Sequence, residues 1–448
     1  MRDVFLLAIL PFLLYAMAMR PFIALGLWVW TALFFPNAWV YGPAGAIRYN
    51  LLIAGFTIGG WLLSKQKARL YLTTTGWLVL VFFAWTTVSS FLQIGDPIAT
   101  WDYWNRFLKI VILFVFVLLI VERKLHIDFM LWCIVLSIGF YGNLEALKFV
   151  ASGGGHMIEG LPGHVLGDRN ELAVAFVMTL PICYYLMTEY GNKSRIIWFG
   201  LVCTMGLLVL GVIGTQSRGG FISLLVLGAY FFIKSDRKIM LSLAIVVLVV
   251  IAAQLASSEW LSRIDSIDSA NQDASFMGRV VAWKLSFILA WEHPLFGGGF
   301  RALESYPVWI ELSQQFHSFP WFYTGDAVPD VRRSHAAHSA YFQVMGDHGF
   351  GGLILYISIL LTSFLRSRRI HKVASRTGMP SWIKNLNTML QLSLFAFCVG
   401  SAALSFAYFD LSFALIALLI VIEKRMLGTM TPEKEKRMTT ISVTRQES

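Results

Sequence analysis

The chain of 448 residues is poor in charge, because Asp, Glu, Lys and Arg make up only 14% of it. Soluble domains contain roughly 25% charged residues, so this composition excludes an ordinary water-soluble enzyme. Cysteine is also scarce. The four cysteines lie inside apolar runs without the paired spacing of metal ligands: Cys133, Cys183, Cys203 and Cys398. The few cysteines exclude a disulfide scaffold, and the apolar composition also excludes a collagen and a disordered protein.

Apolar sequence, by contrast, is abundant, since 57% of the residues are hydrophobic. Crossing a hydrocarbon core takes about 20 helical residues. None of the apolar runs alternates as a β-barrel strand would. We therefore expect a polytopic all-α membrane protein with about twelve transmembrane helices, thirteen being the alternative. The candidate spans are 4–19, 21–36, 48–63, 74–92, 107–121, 128–148, 171–189, 195–213, 219–234, 239–256, 350–366, 386–406 and 409–423.

Basic residues set the expected orientation, because short loops rich in Lys and Arg stay on the cytoplasmic side. Such loops recur at every second connection, which explains the net charge of +10 as a topology signal and not as a nucleic-acid surface. Parity places Met1 outside unless one early segment fails to cross, and our preferred arrangement has both termini inside. We divide the chain into transmembrane helices at 1–256, a periplasmic loop at 257–349, transmembrane helices at 350–423 and a cytoplasmic tail at 424–448.

The long polar loop is where chemistry is expected, because long loops in compact proteins are usually functional. The apolar rhythm of Met277–Trp291 predicts an amphipathic helix on the membrane surface. A turn rich in glycine, Glu292–Phe300, ends that helix. Further along, His335 and His338 precede the next span and would share a face if they stood on a helix.

Four short motifs follow one another along the chain: Gln216–Gly220 at the start of a span, Gly278-Arg279 with Trp283, His293–Gly299, and His338–Tyr341 before the next span. In this order they resemble the O-antigen ligase superfamily of bacterial envelope glycosyltransferases. The opening of the chain, with Arg20-Pro21-Phe22 and Trp28-Val29-Trp30, is similar to the subgroup of exosortase-associated putative O-glycosylation ligases. Ser339 stands where family members often have Asn, so we assign that position no role.

The resemblance implies transfer of a polysaccharide from undecaprenyl pyrophosphate to a sugar hydroxyl of lipid A–core. The reaction would take place at the periplasmic face of the bacterial inner membrane, within the lipid bilayer and without a cofactor or nucleic acid. An O-antigen polymerase and a protein O-oligosaccharyltransferase would use the same donor and are alternatives. A transporter of the lipid-linked glycan is a further alternative, although it predicts repeat symmetry that the sequence does not show.

Arginine suits the pyrophosphate of such a donor, because its forked donors match phosphate oxygens and its charge persists at every relevant pH. We expect Arg218 and Arg279 to bind the pyrophosphate and stabilise its developing charge. Arg301 and Arg169 are further candidates for the same task. A snorkelling role at the membrane interface is the alternative for Arg218.

Histidine is the natural general base for the acceptor hydroxyl, because its ordinary pKa lies near 6.5. We assign His338 as this base in an inverting displacement, with His335 and Tyr341 as supporting residues. A structural role, with its ring hydrogen-bonded to a loop carbonyl, is the alternative for His338. A zinc site of His335, His338 and His348 lacks the HExxH pattern and a nearby cysteine, so we expect no metal.

Overall fold

The part of the chain described by the structure, a computed structural model, is helical and contains no β-strand. The segment 256–273 of the long loop and the tail beyond 427 lie outside the described residues, so the predictions made for them stay predictions. The described residues are 2–65, 67, 69–235, 238–255 and 274–427.

Each predicted span corresponds to a helix. Within the described residues, eight helices are long and apolar enough to cross a membrane, and further apolar helices are shorter. The chain is therefore a polytopic all-α membrane protein, while the expected number of crossings stays a prediction. In chain order the helices are α1 (Arg2–Met19), α2 (Pro21–Leu33), α3 (Tyr49–Leu63), α4 (Thr74–Phe91), α5 (Pro97–Ile120), α6 (Lys124–Ala151), α7 (Arg169–Tyr190), α8 (Arg195–Gly214), α9 (Arg218–Lys234), α10 (Lys238–Leu255), α11 (Ala274–Glu292), α12 (Tyr306–Gln314), α13 (Ala340–Arg376), α14 (Ser381–Gly400) and α15 (Asp410–Val421).

The two ends of the described chain lie at opposite ends of the bundle. Near the N-terminus, Asp3 Oδ1 accepts a hydrogen bond from the backbone N–H of Gly42 at 2.8 Å, in the segment between α2 and α3. Near the other end, Arg425 donates to the carbonyl of Arg69 at 3.3 Å, in the segment between α3 and α4. These contacts separate the two ends of the described chain, while the number of crossings and the sides of the two termini stay predictions. We call the end that carries Gly42 the outer end.

A segment that is mostly irregular, after a short 3-10 helix at Ser401–Ala403, dips into the bundle from the outer end. α14 ends at Gly400, earlier than the predicted span 386–406, and residues 401–409 connect it to α15. The ring of Tyr408 lies 5.1 Å from that of Phe107, which is about 15 Å along α5 from its first residue at 1.5 Å per residue. Irregular backbone at such depth is tolerated only when it is buried in protein or lines a cavity. We call residues 401–409 the re-entrant segment.

α13 is broken at His348 and Gly349, where the backbone leaves the helical region. Residues 293–299 wrap around this break: Gly299 N–H donates to the Asp347 carbonyl at 2.8 Å, and Phe350 N–H donates to the Pro294 carbonyl at 2.9 Å. These bonds satisfy backbone groups that the break would otherwise leave buried and unpaired. We call residues 293–301 together with 346–350 the clasp.

α4 fastens the clasp to the rest of the bundle. Trp85 Nε1 donates to the carbonyls of Leu295 at 3.1 Å and His348 at 3.2 Å. One turn further, Ser89 Oγ donates to the Phe296 carbonyl at 2.6 Å and lies 2.8 Å from His348 Nδ1. The two sides of the clasp are thereby held by a single helix.

The predicted amphipathic helix of the long loop is present as α11. Its buried side, including Leu285 and Leu289, belongs to a cluster with Trp309 and Leu312 of α12, and α11 also packs along α13. The expectation that this face rests on the membrane surface is therefore wrong, because the protein itself covers it. α11 and α12 form a compact cap at the outer end of α13.

Candidate functional site

His338 lies on a loop and not on a helix, since α13 begins only at Ala340. His335 and His338 therefore do not share a helical face, because the segment that carries them is not a helix. The backbone of His338 has φ +47°, a region that side-chain-bearing residues rarely adopt. Its N–H donates to Ser405 Oγ at 2.8 Å, which ties it to the re-entrant segment. This bond holds an uncommon backbone conformation in place and leaves the side chain at the outer end.

The surroundings of His338 lower the pKa of its imidazole below the ordinary value. Loss of solvation is the largest cause, and the positive charge of Arg279 acts in the same direction. The carboxylates of Asp168 and Glu304 oppose these effects without cancelling them. The neutral imidazole, which is the form that can accept a proton, is therefore favoured at neutral pH.

His335 supports the loop that carries His338. Its Nε2 lies 3.9 Å from Asp330 Oδ2, and its ring lies 5.5 Å from that of Trp309. Trp309 Nε1 in turn donates to the Asp330 carbonyl at 2.8 Å. These contacts dock the 330–338 segment onto α12.

Tyr341 and His348, by contrast, form their contacts away from the 330–338 loop. Tyr341 donates its hydroxyl to the carbonyl of Cys398 at 2.9 Å, which joins the start of α13 to the end of α14. His348 is fully buried within the clasp, beside Ser89. The alternative zinc site therefore lacks its third ligand in this arrangement, and no metal-binding group of three His, Cys, Asp or Glu residues occurs within the described residues.

Arg218 is the first residue of α9, which begins beside the re-entrant segment. Ser217 caps this helix by accepting the N–H of Gly220 at 3.2 Å. A Cβ placed on the neighbouring Gly219 would lie 3.6 Å from the Gly400 carbonyl, and α9 also packs on α7. Arg218 therefore stands at the outer end, where α9 meets the segment that fastens His338.

Arg301 is held by both its backbone and its side chain. Its N–H donates to Asp347 Oδ1 at 3.0 Å within the clasp. Its guanidinium donates to Glu304, with Nε at 2.9 Å from Oε2, and lies 4.8 Å from the centre of the Tyr103 ring. Hydrogen bonding to Glu304 is the main cause that raises the pKa of Arg301. Arg301 is thus partly neutralised by its own neighbour.

Arg169 begins α7, and Arg279 lies on α11. Arg169 Nη1 donates to Met157 Sδ at 3.2 Å, and the adjacent Asp168 caps α7 through the N–H of Asn170 at 2.7 Å. The charges of Asp168 and Arg279 both act on His338, as described above. The predicted cationic residues therefore come from helices far apart in sequence and gather at the same end of the bundle as His338.

Backbone strain is concentrated in this region. Among the described residues, those other than glycine with positive φ are Phe35, Gln216, Arg301 and His338. The last three adjoin or belong to the predicted site, and each conformation costs of order 1–3 kcal/mol and persists only because surrounding contacts enforce it. Such strain is typical of a position whose geometry is required for function.

Three residues that the sequence interpretation missed shape this site. Glu304 pairs with Arg301, Ser405 binds the backbone of His338, and Asp347 fixes the backbone of Arg301 while being only 3% exposed. Asp347 carried a usable signal, because an acidic residue interrupts the apolar approach to a span. Ser405 carried none, since it lies inside the run predicted as the span 386–406.

Two family models match the chain. The first 191 residues, 1–191, match a family of unknown function (DUF5935). Residues 203–357 match the O-antigen ligase family. No curated protein matches the chain.

The O-antigen ligase match covers most of the candidate site. It begins within α8, includes α9 to α12 and ends inside α13. Arg218, Arg279, Arg301 and His338 all lie within it, whereas Arg169 lies in the preceding family match. The chain is thus a multi-pass membrane protein, and its residues 203–357 match the O-antigen ligase family, which is a match of the ligase and polymerase type.

Proposed function

We propose that the protein is an O-antigen ligase that transfers a polysaccharide from undecaprenyl pyrophosphate to a sugar hydroxyl of lipid A–core. The transfer takes place at the periplasmic face of the bacterial inner membrane, and the outer end of the bundle is that face. This assignment combines the family of residues 203–357 with the placement of basic loops at the opposite end of the helices.

The observation that carries the proposal is the restrained position of His338. Its backbone is strained at φ +47°, fastened to Ser405, and its ring lies close enough to Arg279 for that charge to lower the imidazole pKa. A general base next to an anionic leaving group must be neutral and fixed relative to the cations. The lowered pKa of the imidazole and the fastened backbone of His338 support such a role.

In the proposed reaction the acceptor hydroxyl attacks the anomeric carbon that bears the pyrophosphate. His338 takes the hydroxyl proton as the new oxygen–carbon bond forms. The carbon–oxygen bond to the phosphate breaks on the opposite side, and its electron pair leaves with the pyrophosphate. The configuration at the anomeric carbon is therefore inverted, and no metal or cofactor takes part.

The arginines act on the leaving group. Arg218 and Arg279 bind the pyrophosphate oxygens and stabilise the charge that grows as the bond breaks. Arg301 and Arg169 flank them, and Glu304 keeps Arg301 oriented through their ion pair. His335 and Tyr341 support this arrangement through the loop and helix contacts described above.

The test is transfer by the purified full chain, supplied with undecaprenyl-pyrophosphate-linked O-antigen and lipid A–core. The wild-type chain should form long-chain lipopolysaccharide. His338→Gln, which keeps a polar side chain of similar size, should lower the rate about 10²- to 10⁴-fold, the usual contribution of a general base, while donor binding persists. Retained turnover in this variant would remove histidine from the mechanism.

The same assay separates the alternatives by acceptor. Elongation of the lipid-linked glycan without lipid A–core would identify a polymerase, and transfer to a protein would identify an O-oligosaccharyltransferase. Movement of the donor across vesicle membranes without any transfer would identify a transporter. Arg218→Lys keeps the charge but loses the forked geometry, so normal donor kinetics in that variant would contradict the proposed pyrophosphate contact.

A further inference from the structure

α5 carries a polar stripe on a side that the rest of the described chain leaves exposed. Asp102, Asn105, Arg106 and Lys109 are all exposed, and their spacing of three and four residues places them on one face of the helix. Beyond Lys109 the corresponding positions are apolar, so the stripe is confined to the outer half of α5. We call these four residues the α5 stripe.

The depth of the α5 stripe makes it unusual for a membrane helix. Arg106 lies about 14 Å and Lys109 about 18 Å along the axis from the first residue of α5, at 1.5 Å per residue. Lys109 is thus near the middle of this 24-residue helix. Charged side chains at that depth are costly and normally face a pathway or a polar cavity. Neither Arg106 nor Lys109 forms an ion pair with an acidic side chain of the described residues within 4.0 Å.

The α5 stripe connects with the candidate site through Tyr103. The guanidinium of Arg106 lies 5.1 Å from the centre of the Tyr103 ring, and that of Arg301 lies 4.8 Å from the same ring. At its inner end, Lys109 is close enough to Asp410 for their charges to interact. Asp410 directly follows the re-entrant segment. The stripe therefore runs along α5 from the level of Asp410 up to Tyr103, which contacts Arg301.

The charge of the stripe changes along its length. Asp102 is the acidic member and lies nearest the outer end, whereas the two cations lie deeper. An anion that arrived from the aqueous side would meet the carboxylate first. An anionic head on a lipid, which moves in from the bilayer, would meet Arg106 and Lys109 first.

We propose that the α5 stripe is the lateral path by which the pyrophosphate head of a polyprenyl lipid reaches the site. Arg106 and Lys109 bind the head inside the membrane, and Arg106 passes it across Tyr103 to Arg301. The inference rests on the lipid-linked donor of the proposed function and adds residues that bind it before the reaction. The chemistry recognised is a diphosphate at membrane depth, with the lipid tail remaining in the bilayer.

The test is binding of labelled undecaprenyl pyrophosphate to the full chain in nanodiscs of phosphatidylcholine. Arg106→Gln and Lys109→Gln should each weaken binding about tenfold, the factor expected when one hydrogen-bonded charge contact is lost. Arg48→Gln is the matched control, because Arg48 is an exposed arginine at the outer start of α3. This control should bind the lipid as the wild-type chain does.

Competition with inorganic pyrophosphate distinguishes a lipid head from a free anion. The soluble anion should compete equally with the wild-type chain and with Arg106→Gln, because it does not use the path from the bilayer. If Arg106→Gln weakened the binding of inorganic pyrophosphate and left the binding of the lipid unchanged, the lateral path would be overturned. Unchanged lipid binding in both stripe variants would also overturn it. If these variants changed the oligomeric state but not the lipid binding, the stripe would instead be an interface between copies of the chain.

Binding is measured without an acceptor, so this test is independent of transfer. If the wild-type chain binds the lipid through the stripe but transfers to no acceptor, the proposed function fails and the lateral path stands. If the stripe variants bind and transfer as the wild-type chain does, the lateral path fails and the proposed function stands.

Discussion

Replacing Gly297 by alanine would act directly on the clasp. A Cβ at this position would lie 2.5 Å from the Gly346 carbonyl oxygen and 2.5 Å from the Gly349 nitrogen. Both atoms belong to the backbone and cannot rotate away as a side chain could. The backbone of Gly297 also has φ +62°, which adds the cost of a left-handed conformation to the cost of the close contacts.

The variant Gly153→Ala is a control that has the first of these costs, the left-handed conformation, without the second, the close contacts. Gly153 has φ +63°, and a Cβ there would meet no atom within 4 Å. Gly153→Ala should therefore lower the free energy of unfolding by only the left-handed penalty, about 1–2 kcal/mol. Gly297→Ala should lower it by a further amount of about 1–3 kcal/mol, which is typical when a packed region must shift.

The free energy of unfolding can be compared by SDS titration of the purified variants in mixed micelles, with the transfer rate as the second measurement. Gly297→Ala should also lose more activity than Gly153→Ala, because Arg301 is held by the clasp through Asp347. Equal destabilisation of the two variants would refute the reasoning, since it would show that the contacts across the break contribute nothing.

Three other predictions concern the base and its support. Because an imidazole base must be neutral, kcat/KM should fall as the pH drops through the pKa of His338, and the midpoint should lie below 6.5 in the wild-type chain. Since the charge of Arg279 lowers this pKa, the pH–rate profile of Arg279→Gln should have a higher midpoint. Ser405→Ala removes the acceptor of the His338 N–H, so kcat should fall about fivefold, corresponding to about 1 kcal/mol, while the Kd for donor stays unchanged. Trp85→Phe leaves two clasp carbonyls without their indole donor, and the free energy of unfolding should fall by about 1–3 kcal/mol in the same SDS titration.

The membrane helices could be predicted from the sequence because their signal is local, whereas the position of the site in the long loop stays a prediction. A run of apolar residues predicts a helix wherever it packs, and polar residues such as His338 are conspicuous beside such runs. The presence of helix α11 was predicted for the same reason. Its covered face was not, because the sequence does not show that α12 would lie against it.

The features that organise the site depend on contacts between distant segments. The early end of α14 and the dip of the re-entrant segment follow from packing on Phe107 and from the hydrogen bond of Ser405. The break in α13 is stable only because α4 and the 293–299 turn satisfy its backbone groups. Likewise, the sequence did not show that Arg301 pairs with Glu304, and this pairing leaves less of its positive charge for the pyrophosphate than the sequence alone suggested.

The most direct test of the central claim is a density map of the His338→Gln chain bound to an undecaprenyl-pyrophosphate glycan. The account predicts the pyrophosphate within hydrogen-bond distance of Arg218 and Arg279 at the outer end. It also predicts that the side chain at position 338 faces the anomeric carbon from the side opposite the leaving group. A pyrophosphate bound at the other end of the bundle, or a residue 338 turned away from the anomeric carbon, would contradict it.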